Sequence, residues 1–191
     1  MTREAHMAEE LEWQKEGERS LLKTRVFEVL ERRETAPSGV SGDYIALSAP
    51  DCVVVLPEYE GKFVLVSQWR HGMGAVTTEF PGGVIDRGEE PETAAYRELL
   101  EETGYRAGKM TLLGVCSPNP ALFTSRLYFF LAEELTKTGE THPDADEVIS
   151  VSTVPTEEVV SSFGRGEFAH AFTGAALAFY MRNMGKPTTE N

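Results

Sequence analysis

Apolar and polar residues follow two periods along this chain. Near its centre lie two apolar runs, residues 52–56 and 62–69, separated by Glu58-Tyr59-Glu60-Gly61. Both are short, rich in valine and leucine, and joined by a turn, which predicts a hairpin of buried strands. Residues 24–32 alternate instead, with Val26, Glu28 and Leu30 on one face and Phe27, Val29 and Glu31 on the other, the period of a half-buried strand. Further strands are predicted at 43–48, 75–80, 109–116, 126–132 and 147–152. Residues 9–22 are polar with scattered apolar positions and read as a weak helix or an extended arm. Loops are expected at 36–42, at 117–123, where two prolines restrict the backbone, and at 136–146, which is polar and acidic.

The pattern turns helical at three places. Pro91 suits the first turn of a helix running to Thr103, with Gly104 placed to cap it. A second helix is predicted from Pro155 to about Phe163, ended by Gly164-Arg165-Gly166. A third spans 167–182, with Phe168, Phe172, Leu177, Tyr180 and Met181 as its core candidates. Strands first, one helix across them, then strands and closing helices predict an α/β sandwich with a mixed sheet.

The helix at 91–103 changes the picture from fold to chemistry. At about 100° per residue, Glu98, Glu101 and Glu102 share one side, and Tyr96, Leu99, Leu100 and Thr103 the other. Like charges one turn apart destabilise a helix. Arg97 lies within the cluster, and Pro81-Gly82-Gly83 lies just upstream, where backbone carbonyls can approach an ion. Oxygen donors of this kind suit Mg²⁺ or Mn²⁺ rather than zinc.

Composition narrows the class. The 191 residues suit one domain, and 41% hydrophobic content supports one sizeable core. A net charge of −13 argues against a nucleic-acid partner, which would need a basic stripe. Cys52 and Cys116 lie in apolar runs and read as free thiols of a reducing compartment. No apolar run is long enough to span a bilayer and no signal peptide is visible, so a cytoplasmic protein is expected.

Gly83, five residues, Glu89, seven residues, then Arg97-Glu98-Leu99-Leu100-Glu101-Glu102-Thr103-Gly104-Tyr105 resembles the Nudix box at every charged and glycine position; Tyr105 replaces an aliphatic residue. The resemblance implies a Nudix-type α/β/α sandwich over residues 51–185, preceded by an arm at 1–50 of the kind that ADP-ribose pyrophosphatases use to form homodimers, and followed by a tail at 186–191. It implies metal ligation by Glu98 and Glu102, joined by Glu101 and the Gly82 carbonyl, with Arg97 orienting the glutamates. Glu89 either braces the loop, acts in catalysis, or compensates the helix dipole. A general base is expected in the loop after the box: Glu147 fits best, with Asp144 and Asp146 as competitors and His142 as a surface residue.

Gln68-Trp69-Arg70 and Glu79-Phe80-Pro81-Gly82-Gly83 resemble the ADP-ribose and nucleoside diphosphate-sugar branch. There Arg70 would contact a phosphate, or else form a surface ion pair. Glu79 would face the substrate, or else sit at the sheet edge. Phe123 would line the pocket or the core. Asn119-Pro120-Ala121 lengthens the following loop relative to the Ser-Pro-Gly type. The implied reaction is Mg²⁺-dependent hydrolysis of a nucleotide sugar, ADP-ribose first. GDP-mannose or another nucleotide sugar, a nucleoside triphosphate or dinucleoside polyphosphate, and a non-catalytic nucleotide sensor are the alternatives.

Overall fold

The computed structural model describes residues 10–139, 141 and 148–185. The chain divides into two compact units, Met1–Pro50 with Ser117–Ser125, and Asp51–Cys116 with Arg126–Asn191.

The first unit is an antiparallel sheet of β1 (Gln14–Lys23), β2 (Glu28–Thr35) and β3 (Ser41–Ser48), in that order. Of the two readings of 9–22, a weak helix or an extended arm, the backbone over Gln14–Lys23 is extended and pairs as a full strand. Its polar residues are satisfied across the ladder: Arg19 pairs with Glu31 and Arg32 with Glu18, each at 2.6 Å and each directly opposite. The second strand starts later than its alternation suggests. The Thr24 hydroxyl accepts the N–H groups of Val26 and Phe27, which bends the chain there. Residues 117–125 join this unit through Leu47, whose N–H donates to Leu122 and whose carbonyl accepts from Thr124. Phe123 belongs here too, bridging to Leu47.

The second unit holds β4 (Cys52–Tyr59), β5 (Lys62–Arg70), β6 (Ala75–Glu79), β8 (Lys109–Cys116), β9 (Leu127–Glu133) and β11 (Ser150–Pro155) in one sheet. The order is β11-β5-β4-β9-β8, with β6 also on β5. β4 and β9 run parallel and the other pairs antiparallel, so the sheet is mixed. The β4–β5 turn places Glu60 at φ 53° and Gly61 at φ 73°, the left-handed pair that a tight two-residue hairpin needs. A ribbon of β7 (Tyr105–Arg106) and β10 (Thr136–Lys137) lies apart from this sheet, with β10 inside the expected loop.

Alternate residues of β4 face opposite layers. Val53 and Val55 pack with Ala94, Ala95 and Leu99 of α1 (Pro91–Thr103). Val54 and Leu56 pack with Val159 of α2 (Thr156–Ser162) and with Ala176, Leu177 and Tyr180 of α3 (Ala171–Met184). The result is the expected α/β/α sandwich. Each wholly buried aliphatic side chain here contributes about 1.5–3 kcal/mol. Among the described residues no helix is long and apolar enough to cross a membrane.

Two helix faces differ from the wheel. On α1, Tyr96 is exposed and Glu102 is only 3% exposed, because Ala94, Ala95 and Leu99 meet the sheet and turn Glu102 under the neighbouring loop. On α3, Met181 is exposed, and the helix begins at Ala171 rather than 167.

Candidate active site

The loop 80–84 is laid along β4. Val53 N–H donates to Gly83 and Val55 N–H to Pro81, at 2.9 and 2.8 Å. Gly82 adopts φ 153°, and a Cβ there would run into the Val53 carbonyl. Its N–H donates to Glu102 Oε2 at 2.9 Å, so the buried carboxylate and the loop hold one another. At Gly83 a Cβ would stand 2.5 Å from Glu98 Oε1. Gly82 is therefore demanded by the backbone it lies against, and Gly83 leaves room for the Glu98 carboxylate.

Arg97 organises the acidic face. Its Nε and Nη2 donate to the two oxygens of Glu89, at 3.0 and 2.9 Å. Nη1 donates to Glu98 at 2.7 Å and to Glu101 at 3.1 Å, and Nη2 also reaches the Val84 carbonyl. The guanidinium thus ties three carboxylates and the loop together. Hydrogen bonds from Arg97 hold Glu89 below its usual carboxylate range, and Glu89 in turn raises Arg97. Glu89 also accepts the Asp86 N–H at 3.0 Å, so it braces the turn.

These groups form one wall of a cavity of about 580 Å³, lined by Gly82, Gly83, Arg97, Glu98, Glu101 and Glu102. Gln68, Arg70, Glu79, His170, Phe172 and Thr173 also line it. Arg70 donates to Glu79 Oε1 through Nε at 2.7 Å, and its Nη2 lies 2.6 Å from the same oxygen. His170 Nε2 stands 3.3 Å from Glu79 Oε2. The Glu79 side chain is 4% exposed and that of Arg70 40%, so the pair joins a buried anion to a cation on the cavity surface. Cys52 also lines the cavity, and burial raises its thiol above the ordinary value.

The structure thus brings together Arg70, Glu79, Gly82, Arg97, Glu98, Glu101 and Glu102. Glu147, with His142, Asp144 and Asp146, lies outside the described residues. Sequence reasoning did not single out His170 or Thr173. His170 caps α3, its Nδ1 accepting the Phe172 N–H at 3.1 Å. The Thr173 hydroxyl is buried and has no hydrogen-bond partner among the described residues. A histidine just ahead of an amphipathic run was the one available signal.

Among the described residues no three His, Cys, Asp or Glu side chains are arranged to hold a metal ion. In kind, the donors suit a hard divalent cation: three carboxylates and the Gly82–Gly83 turn share one cavity wall, and all offer oxygen. Arg97 crosslinks Glu98 and Glu101 across that wall and holds them in their present positions.

A NUDIX domain model matches residues 48–172. The chain belongs to the Nudix family. The ADP-ribose pyrophosphatase of Bacillus subtilis (strain 168) is 34% identical over 145 residues, 75% of this chain and 78% of that protein. The ADP-sugar pyrophosphatase of Mus musculus is 38% identical over 96 residues, half of this chain and 40% of that protein. A crystal structure of an ADP compounds hydrolase superposes with a TM-score of 0.80 at 23% identity, covering 92% of this chain and 97% of that one. This Nudix chain therefore carries the family's fold with the box helix as α1. It is a Nudix hydrolase, and such enzymes generally need a divalent metal.

Proposed function

We propose that this Nudix hydrolase cleaves the pyrophosphate bond of a nucleoside diphosphate-sugar, with ADP-ribose, yielding AMP and ribose 5-phosphate, as the leading substrate. The observation that carries the reading is one cavity whose acidic wall also presents, beyond it, the Arg70 guanidinium. Its volume is within the ordinary range for small-molecule sites. The two relatives named above, an ADP-ribose and an ADP-sugar pyrophosphatase, support the substrate class.

In this reading Glu98, Glu101, Glu102 and the Gly82 carbonyl hold Mg²⁺, with Mn²⁺ able to replace it. When bound, the metal neutralises pyrophosphate charge and lowers the pKa of the attacking water. Arg97 keeps Glu98 and Glu101 in position, and Glu101 also serves catalysis. Arg70 binds a phosphate, and Glu79 fixes Arg70. Glu147 takes the proton from the water, whose oxygen bonds to one phosphorus as the bridging P–O bond breaks. The bridging oxygen leaves on the other phosphate. A non-catalytic nucleotide sensor would have no need of three carboxylates on one helix face. The chain acts as a homodimer in the cytoplasm, a reducing setting suited to cysteines that lie in apolar surroundings, as Cys52 and Cys116 do.

The test is a panel of nucleotide sugars, nucleoside triphosphates and dinucleoside polyphosphates with Mg²⁺, scored by product. A nucleoside monophosphate plus a sugar phosphate is expected. Free pyrophosphate as the main product would replace this reading with a triphosphatase, and GDP-mannose turned over ahead of ADP-ribose would change the sugar. Glu102→Gln is expected to fold, since its amide oxygen can still accept the Gly82 N–H, and to lose at least about a hundredfold in turnover.

A further inference from the structure

We propose that His170 is a positioning residue for substrate binding: its imidazole caps α3 with one nitrogen and sets the other 3.3 Å from Glu79, and Glu79 in turn holds Arg70 toward the cavity. The kinetic part of this inference rests on the proposed role of Arg70 as a phosphate contact.

The geometry fixes the tautomer. Nδ1 accepts the Phe172 N–H at 3.1 Å, so in the neutral ring the proton is on Nε2. Nε2 faces Glu79 Oε2 at 3.3 Å. Arg70 occupies the other oxygen, Oε1, with two nitrogens. The Glu79 side chain is almost wholly buried, so solvent is a poor substitute for a missing donor on Oε2. Without His170, the carboxylate would turn to share both oxygens with Arg70, and the guanidinium would follow it away from the cavity.

The residue type supports a double role. Asn, Asp, Ser and Thr are the preferred N-caps, and histidine is not among them. Asparagine could accept the same N–H but is too short to reach a second partner across a ring. Histidine alone caps with one atom and presents a donor on the far side. A neutral imidazole also leaves the Arg70–Glu79 pair with no extra charge, so the field at the phosphate position is set by Arg70 and Glu79 together. Three elements, β5, β6 and the start of α3, are thereby locked at one wall of the cavity.

The experiment uses the full chain with Mg²⁺ and ADP-ribose, and compares His170→Asn, His170→Ala, Arg70→Ala and the double variant His170→Asn with Arg70→Ala. Asparagine restores the cap but not the link to Glu79. His170→Asn is therefore expected to raise KM about tenfold or more, with kcat within about threefold. In the Arg70→Ala background the same change should add little, because the group it acts through is gone. If His170→Asn keeps the wild-type KM while His170→Ala does not, His170 is only a helix cap and the proposal falls. Additive effects with Arg70→Ala overturn it as well. Imidazole ¹⁵N NMR of the resting protein supplies a readout independent of turnover: a protonated Nε2 with a bare Nδ1 is expected, and the opposite tautomer refutes the arrangement. Should the wild type hydrolyse no nucleotide sugar, the proposed function fails on its own, and the NMR result decides the relay.

Discussion

Gly82 and Gly83 adjoin each other, yet an added methyl group would act on them through different atoms. At Gly83 it would meet the tip of Glu98, a side chain that can swing aside. Gly83→Ala should therefore leave the melting temperature nearly unchanged while displacing Glu98, with activity down at least about tenfold. At Gly82 the obstacle is the β4 backbone, and φ 153° is unfavourable for any other residue. Gly82→Ala should destabilise by about 1–3 kcal/mol, read from urea unfolding. Equal stability losses in the two variants would contradict the contacts described. His170 carries a pH dependence at the same scale. Burial lowers its pKa first; Arg70 on β5 lowers it further, and Glu79 on β6 opposes both. The folded chain then binds this proton less readily than the unfolded chain. The associated stability is complete above the unfolded value, about 6.5, and is lost as pH falls toward the folded value. Wild type should lose more stability than His170→Asn between pH 8 and 5.5, measured by denaturant midpoints.

At the scale of elements, α1 is held to its loop by the Arg97 guanidinium together with the Glu102 carboxylate. Arg97 serves Glu89, Glu98, Glu101 and the Val84 carbonyl from a planar fork. A lysine ammonium is a single point with three donors and cannot span those positions. Arg97→Lys should cost about 1–3 kcal/mol of stability and reduce kcat far more than KM, by unfolding curves and steady-state kinetics. A variant of wild-type activity would remove Arg97 from the machinery. The same element shows what the sequence discloses. The box residues were legible because the spacing of one helix and its loop is local, and the runs at β4, β5, β8 and β9 were legible because their apolar residues are consecutive. The burial of Glu102 was not, since it depends on the loop 80–84 folding over the helix. Strand β1 was hidden because its satisfaction comes from charges on β2. The link between His170 and Glu79 joins segments far apart in the chain, and no periodicity carries such a pairing.

At the scale of the molecule, the three-stranded unit of β1, β2 and β3 raises a question of cover. Every residue of β1 is exposed. On β3, Tyr44 and Ile45 are adjacent and so point to opposite faces, yet they are 43% and 45% exposed. Leu22 and Val26 are more than half exposed. A small sheet gains independent stability only when an apolar face is covered. Exposed apolar residues of this extent suit an interaction surface, and the homodimer proposed for this chain would supply the cover from a second copy. A stable pair would bury about 1,600 Å² in total. Sedimentation should then give about twice the 21.1 kDa chain mass. Leu22→Asp combined with Ile45→Asp places a charge in the contact and should give the single-chain mass, with the circular dichroism of the catalytic unit retained. A double variant that still sediments as a dimer would move the interface elsewhere, and a monomeric wild type would remove the homodimer altogether.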